Sequence, residues 1–139
     1  MTETAPRVTP GVKALIEENG KILALKTENE NGAYWVLPGG RVKYGEDPKH
    51  TLKREVKEEL SADIILGKPA GMYYFFIGGN DEGDQVVLTV VTATLEEEID
   101  LAHDPSDENL TEYRWLTPHE FLELSDPYLR ESLAEYYEK

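Results

Sequence analysis

Residues 40–62 read GRVKYGEDPKHTLKREVKEELSA, and this stretch decides how the chain folds. Asp47 is a favourable N-cap, and Pro48 suits the first position of a helix because the N–H that proline lacks has no partner there. Apolar side chains then recur at every fourth residue, which is typical of one buried helix face: Leu52, Val56 and Leu60. The stretch therefore predicts a helix that begins at Pro48 and packs against the core through this face.

Glu55, Glu58 and Glu59 lie at positions i, i+3 and i+4 of the predicted helix and border its buried face. Side chains at this spacing are neighbours, so each like-charged pair costs about 0.2–0.5 kcal/mol in an isolated helix. The partial negative charge of the helix C-terminus adds to this cost. We expect a cation to offset the repulsion, and a divalent metal ion fits. The alternative is a solvated face neutralised by basic neighbours, of which Arg54 has the favourable i, i+4 spacing to Glu58.

Composition limits the class of protein. A length of 139 residues suits one ordinary domain, and we expect residues 1–139 to form a single domain. The absence of cysteine excludes disulfides, thiolate metal sites and cysteine nucleophiles. The 28 acidic and 14 basic side chains give a formal net charge of −14, which argues against nucleic acid as a partner, because that binding depends on Lys and Arg. The sequence shows no signal peptide or membrane span, so we expect a cytoplasmic protein without membrane contact.

Apolar segments and turn residues predict strands and helices in a mixed order. Asn19-Gly20 predicts a hairpin, residues 28–32 predict a polar loop, and residues 38–40 predict a turn after a short strand. Because strands and helices do not alternate regularly, we expect an α+β fold with a mixed sheet covered by helices. Further strands are expected within 64–66, 72–77, 85–95 and 113–116, and short helices within 117–124 and 126–137.

The glutamate stretch also fits a longer pattern, G-x5-E-x7-R-E-U-x-E-E-x-G-U, in which U is an apolar residue. Its positions are occupied by Gly40, Glu46, Arg54, Glu55, Val56, Glu58, Glu59, Ser61 and Ala62. This pattern resembles the signature of the Nudix hydrolases, and Ser61 departs from it because the family usually has glycine there. Lys43 also occupies a position where relatives often carry glutamate. Residues 35–40 and 113–121 resemble the family as well, so the resemblance extends over most of the chain.

The resemblance implies an α/β/α sandwich in which a loop-helix-loop carries the motif. It also implies that Mg²⁺ or Mn²⁺ binds to helix carboxylates and to a backbone carbonyl at the glycine turn. The expected metal ligands are therefore Gly39, Glu55, Glu58 and Glu59. Glu108, in an acidic loop before the last strand and with Glu112 behind it, is a candidate further ligand or base, although such loops are often only solvated.

The expected catalytic residues are Glu55, Glu58 and Arg54. Relatives differ over which carboxylate is the general base, and Glu55 is our first choice. By resemblance, Arg54 pairs with carboxylates such as Glu46 or Glu55 and holds them in place. For substrate binding, Arg41 is expected to contact phosphates, and Tyr74, in the aromatic run 73–76, is expected to stack on a nucleobase. The alternatives are a solvated Arg41 and an aromatic run that belongs to the sheet core.

The expected activity is hydrolysis of a phosphoanhydride bond in a nucleoside diphosphate linked to another group. The competing interpretation is a catalytically silent Nudix domain that binds a nucleotide-like ligand as a sensor. Such domains are expected to lose motif carboxylates, and this chain keeps all of them. The sequence leaves nucleoside triphosphates, nucleotide sugars, ADP-ribose and dinucleoside polyphosphates open as small-molecule substrates. It also leaves open a homodimer formed through apolar strands.

Overall fold

A computed structural model describes residues 7–29, 32–77, 84–99, 110–125 and 127–137. These residues form seven strands and three helices. The strands are β1 (Arg7–Glu18), β2 (Lys21–Asn29), β3 (Gly32–Val36), β4 (Gly39–Arg41), β5 (Ile64–Ile77), β6 (Asp84–Leu95) and β7 (Leu110–Leu116). The helices are α1 (Pro48–Leu60), α2 (Pro118–Leu124) and α3 (Pro127–Tyr137). Among these helices, none has the length and apolar character that a membrane crossing requires.

The strands form one mixed sheet with β1 at its centre. The order is β3-β2-β1-β6-β5, with β4 paired to β1 and β7 paired to β2. β1 and β6 are parallel, and the other pairs are antiparallel. β1 pairs with β4 at residues 11–13 and with β2 at residues 17–18, so it changes partners along its length. This arrangement leaves the short strand β4 next to α1, which contacts both β4 and β1.

Two apolar cores lie on opposite faces of the sheet. Successive residues of β1 point to opposite sides, so Ala14 belongs to one core and Leu15 to the other. The first core packs α1 through the predicted face, formed by Leu52, Val56 and Leu60. The second core packs α2 and α3 through Phe121, Leu129 and Leu133. The predicted α/β/α sandwich with a mixed sheet is confirmed.

The first hairpin follows the sequence prediction. Asn19 and Gly20 have φ angles of 53° and 77°, which is the positive-φ pair that a tight hairpin turn requires. The polar loop predicted at 28–32 is wrong in its extent. β2 and β3 continue to pair as far as Asn29 and Gly32, because ladder hydrogen bonds extend the strands despite their polar side chains.

Two other predictions about the strands differ from the structure because they depend on how the strands pair. The turn predicted at 38–40 is wrong in its second half, because Gly39 and Gly40 belong to β4 and pair with β1. The segments 64–66 and 72–77 are parts of one strand, β5, whose pairing with β6 is irregular between Leu66 and Gly71. β4 pairs with a strand that is distant in sequence, so the local pattern does not reveal this pairing. β5 and β6 are consecutive strands, but their pairing continues past Gly67 and Pro69, residues that locally indicate a break.

Both ends of α1 are fixed by local hydrogen bonds. The Asp47 side chain accepts a hydrogen bond of 2.8 Å from the backbone N–H of Lys49, as the N-cap prediction requires. Ser61 ends the helix in the left-handed conformation, with φ 55° and ψ 35°, and its N–H donates to the carbonyl of Lys57. This is the geometry in which the Nudix pattern has glycine, so the serine side chain adds strain there.

Ser61→Gly is expected to stabilise the fold by about 1 kcal/mol, because glycine adopts the left-handed conformation without this strain. Urea denaturation of both proteins measures the difference. Ser132→Gly is the control: it places glycine inside α3 and removes a hydrogen bond to the carbonyl of Met72, so it should lose stability. A Ser61→Gly protein no more stable than wild type would contradict the assignment of strain to Ser61.

Candidate active site

Glu59 connects α1 to β4. The residue is 1% exposed, and its Oε1 accepts a hydrogen bond of 2.8 Å from the backbone N–H of Gly39. A buried carboxylate needs such a partner because loss of water is costly for a charged group. Gly39 itself must be glycine, since φ is 139° and a Cβ there would lie 2.1 Å from the carbonyl oxygen of Val12. The sequence placed Glu59 at the border of the buried face, and the structure buries it completely.

Gly40 allows β4 to approach a second glutamate. A Cβ on Gly40 would lie 2.5 Å from Cδ of Glu55, and 2.7 Å and 2.8 Å from its two carboxylate oxygens. The carboxylate of Glu55 therefore occupies the space that any side chain at residue 40 would need. Together, the two glycines place the backbone of β4 directly beside two of the three predicted metal-binding glutamates.

Arg54 links the carboxylates on the other side of the site. Its Nε and Nη2 donate to the two oxygens of Glu46 at 2.7 Å and 2.9 Å, which makes a bidentate ion pair. Its Nη1 donates to Glu55 at 3.1 Å and to Glu58 at 3.3 Å. The predicted pairing of Arg54 with Glu46 and Glu55 is present, and the guanidinium is one cation that offsets the repulsion between the helix glutamates.

The surroundings of Glu46 favour its charged form. Hydrogen bonds from Arg54, and a further one of 2.8 Å from the hydroxyl of Thr51, lower the pKa of Glu46 from 4.5 to about 2. The same ion pair raises the pKa of Arg54 above its usual value. At neutral pH the two groups therefore stay charged and hold the loop before α1 against the helix.

The donor atoms near β4 suit a hard divalent cation. Glu55, Glu58 and Glu59 offer carboxylate oxygens, and Gly39 offers a carbonyl oxygen on the neighbouring strand. In the described part of the chain, no three acidic or histidine side chains are already grouped as an ion-binding set. Instead, two of these glutamates share Arg54 and the third binds the N–H of Gly39. An ion held by Glu55 and Glu58 would compete with Arg54 for their oxygens.

A cavity of about 380 Å³ opens beside β4. Glu55 lines it together with three cationic residues, Lys13, Arg41 and Lys43. Lys13 is a cavity residue that the sequence did not indicate. Its Nζ donates to the carbonyl oxygen of Gly39 at 3.5 Å because β1 pairs with β4. No local sequence pattern places Lys13 beside Gly39. Only the pairing of β1 with β4 predicts this contact.

Tyr74 is not brought to this cavity. It pairs with Val87 of β6, whereas Val86 and Leu88 line the cavity, and successive residues of a strand point to opposite faces. Its neighbour Tyr73 lies opposite Leu88 but is packed in the core with 8% of its surface exposed. The structure therefore gives no support to base stacking by Tyr74 in this cavity, and the alternative of a core position describes Tyr73.

The acidic stretch before β7 contains two further candidates from the sequence, Glu108 and Glu112. Glu108 lies outside the described residues, so its expected role as a ligand or base stays a prediction. Glu112 lies in β7, where its two carboxylate oxygens accept hydrogen bonds from Lys26 and Arg114, each at 3.3 Å. Glu112 therefore binds two cationic side chains of β2 and β7.

The family model of the NUDIX domain matches residues 5–138, which is nearly the whole chain. The chain belongs to the NUDIX domain family. This confirms the resemblance noted in residues 40–62, and with it the expectation of a Nudix-type pyrophosphohydrolase. Nudix hydrolases generally need a divalent metal ion, which agrees with the donor atoms found beside β4.

Two similar proteins cover most of this Nudix chain. Nudix hydrolase 25 of Arabidopsis thaliana is 29% identical, and the alignment covers 97% of this chain and 87% of that protein. Nucleoside triphosphatase NudI of Escherichia coli is 24% identical, with 78% of this chain and 81% of that protein covered.

Solved structures show the same fold. The MutT protein from Methanosarcina mazei Go1 superposes with a TM-score of 0.80 at 25% identity, covering 96% of this chain and 95% of that one. A NUDIX hydrolase from Nitrosomonas europaea gives a TM-score of 0.76 at 18% identity, with 95% and 89% covered.

The contribution of Glu46 to stability is expected to depend on pH. Its folded-state pKa of about 2 lies below the ordinary value of 4.5, so the charged group stabilises the fold above about pH 4.5. This stabilisation is lost as the pH falls from 4.5 towards 2. Glu46→Gln should therefore unfold in less urea than wild type at neutral pH, and the difference should shrink near about pH 3.

The control for this measurement is Glu135→Gln, because Glu135 is exposed on α3 and far from Arg54 in sequence. Its unfolding midpoint should follow that of wild type at both pH values. If the difference between wild type and Glu46→Gln stayed the same at both pH values, the ion pair with Arg54 would not be what stabilises the charged form of Glu46.

Proposed function

We propose that this chain is a metal-dependent hydrolase that cleaves a phosphoanhydride bond of a nucleoside diphosphate linked to another group. One observation carries the proposal: the backbone of Gly39 and Gly40 lies against Glu59 and Glu55, and Arg54 joins Glu55 to Glu58. A diphosphate repels an attacking nucleophile through its own negative charge, so its cleavage needs a site that concentrates positive charge on the phosphates. Carboxylates gathered beside a carbonyl oxygen suit that purpose when they hold a cation.

Each residue has a role in this proposal. Glu55, Glu58, Glu59 and the carbonyl of Gly39 hold Mg²⁺ or Mn²⁺, and Arg54 orients the first two carboxylates. When bound, the ion neutralises phosphate oxygens and lowers the pKa of a coordinated water. Glu55 accepts the proton of the attacking water as general base. Attack on phosphorus breaks its bond to the bridging oxygen, so the products are two phosphorylated fragments.

The proposed substrate belongs to a broad class. One similar protein is a nucleoside triphosphatase. We include in the proposal that the substrate of this chain is a small molecule of the nucleotide type. The cytoplasmic location and the homodimer stay predictions from the sequence. The sensor interpretation gains no support, because the motif carboxylates are present and Gly40 leaves room for the carboxylate of Glu55.

Glu58→Gln is expected to stay folded and to lose at least about 100-fold in kcat, the loss typical of a removed acid-base or electrostatic group. The glutamine still offers Arg54 an amide oxygen, and 39% of the Glu58 side chain is exposed, so the fold should tolerate the change. The measurement is product release from a panel of nucleoside triphosphates, nucleotide sugars, ADP-ribose and dinucleoside polyphosphates with Mg²⁺ or Mn²⁺.

Glu135→Gln on α3 is the matched control and should keep the wild-type rate. Equal rates for Glu58→Gln and wild type would contradict the role of Glu58. If wild type released no product from any compound, yet one compound raised its melting temperature, the sensor function would replace the proposed one.

A further inference from the structure

The lining of the cavity beside β4 is positively charged, whereas the chain as a whole is negatively charged. The chain has 28 acidic and 14 basic side chains, yet three of the basic ones, Lys13, Arg41 and Lys43, line this single cavity. Two other cavities in the described part hold one lysine and none, respectively. The cationic lining is therefore a local feature of this cavity and not a general property of the surface.

Arg41 and Lys43 are available to a ligand. Both are exposed, and within the described structure neither side chain forms an ion pair or hydrogen bond. The backbone N–H of Lys43 is engaged by Glu46 at 3.3 Å, which fixes the chain but leaves the ammonium group free to turn. The four other arginines of the chain do form such contacts: Arg7, Arg54, Arg114 and Arg130. Among the described residues, Arg41 thus differs from the other four arginines because its side chain has no protein partner there.

These cations lie next to the proposed reaction centre. Glu55, the proposed base, lines the same cavity, and Nζ of Lys13 reaches the carbonyl oxygen of Gly39. An anionic group bound to Arg41 and Lys43 would therefore adjoin the phosphorus that is attacked.

We propose that this cavity binds the free terminal phosphate of a nucleoside triphosphate, and that Arg41 and Lys43 select triphosphates over nucleotide sugars and ADP-ribose. The inference rests on the proposed function and narrows its substrate class. Arginine and lysine are the side chains that bind phosphate oxygens through charge-assisted hydrogen bonds. A terminal phosphate carries nearly two negative charges of its own, whereas a phosphate with an anhydride link on one side and an ester link on the other carries only about one.

Charge balance favours the same class. Lys13, Arg41 and Lys43 together with Glu55 leave two positive charges in the lining. A nucleoside triphosphate carries about four negative charges near neutral pH and a nucleotide sugar about two, so the triphosphate brings about two further negative charges. These two further charges match the two positive charges of the lining. Complementary charge gives specificity between ligands that share the rest of their structure, so the triphosphate is the better match.

The test compares kcat/KM for nucleoside triphosphates with kcat/KM for ADP-ribose and nucleotide sugars in wild type, Lys43→Gln and Lys53→Gln. Lys53 is exposed on α1 outside the cavity, so Lys53→Gln removes the same charge from the molecule and serves as the control. Wild type should prefer triphosphates. Lys43→Gln should lower kcat/KM for nucleoside triphosphates roughly 10-fold more than kcat/KM for ADP-ribose and nucleotide sugars. This is the effect expected from the loss of one charge-assisted hydrogen bond.

A binding measurement separates this inference from the proposed function. Calorimetry with inorganic pyrophosphate and Mg²⁺ should give a roughly 10-fold weaker affinity for Lys43→Gln than for wild type and Lys53→Gln. Cleavage of a nucleotide substrate without any preference for triphosphates, or equal effects of the two lysine variants, would overturn the inference while the proposed function stands. If no substrate were cleaved but pyrophosphate binding still depended on Lys43, the proposed function would fail and the phosphate site would stand.

Discussion

The contact between β4 and α1 is the constraint on which the rest of the site depends. The buried carboxylate of Glu59 accepts the N–H of Gly39, and the missing side chain of Gly40 leaves room for Glu55. Because Gly39 also pairs with Lys13 of β1, this contact ties the helix to the central strand of the sheet. The carboxylates, the carbonyl oxygen of Gly39 and the cationic cavity therefore keep one relative arrangement, which a flexible loop could not give them.

Arg54 makes this concentration of negative charge tolerable. Glutamates at i, i+3 and i+4 repel one another, and the guanidinium offsets part of that cost by binding Glu55 and Glu58 through one nitrogen. Its bidentate bond to Glu46 fixes its own position. The helix can therefore fold with its glutamates close together, and a cation bound by Glu55 and Glu58 would compete with the nitrogen that they share. A site held in this way is preorganised.

Local sequence patterns predicted the elements whose causes are local. The N-cap at Asp47, the buried stripe of α1 and the hairpin at Asn19 all depend on residues close in sequence. The pairing of Arg54 with Glu46 or Glu55 was implied by the Nudix resemblance instead. The position of Lys13 and the strand character of Gly39 depend on the pairing of β1 with β4, which no local pattern encodes. The position of Tyr74 depends on similar information: the aromatic run is visible in the sequence, but the face that each residue takes is set by the register of β5 on β6.

The central claim is that the carboxylates of α1 bind a divalent ion beside β4, and a Mn²⁺ titration followed by electron paramagnetic resonance tests it most directly. Gly40→Ala is the informative variant, because the three atoms nearest its methyl group would all belong to the flexible end of the Glu55 side chain. The account predicts saturable binding to wild type and to Glu135→Gln, and binding weakened by roughly 10-fold or more in a folded Gly40→Ala protein. Equal binding by all three proteins, or no binding to wild type, would contradict it.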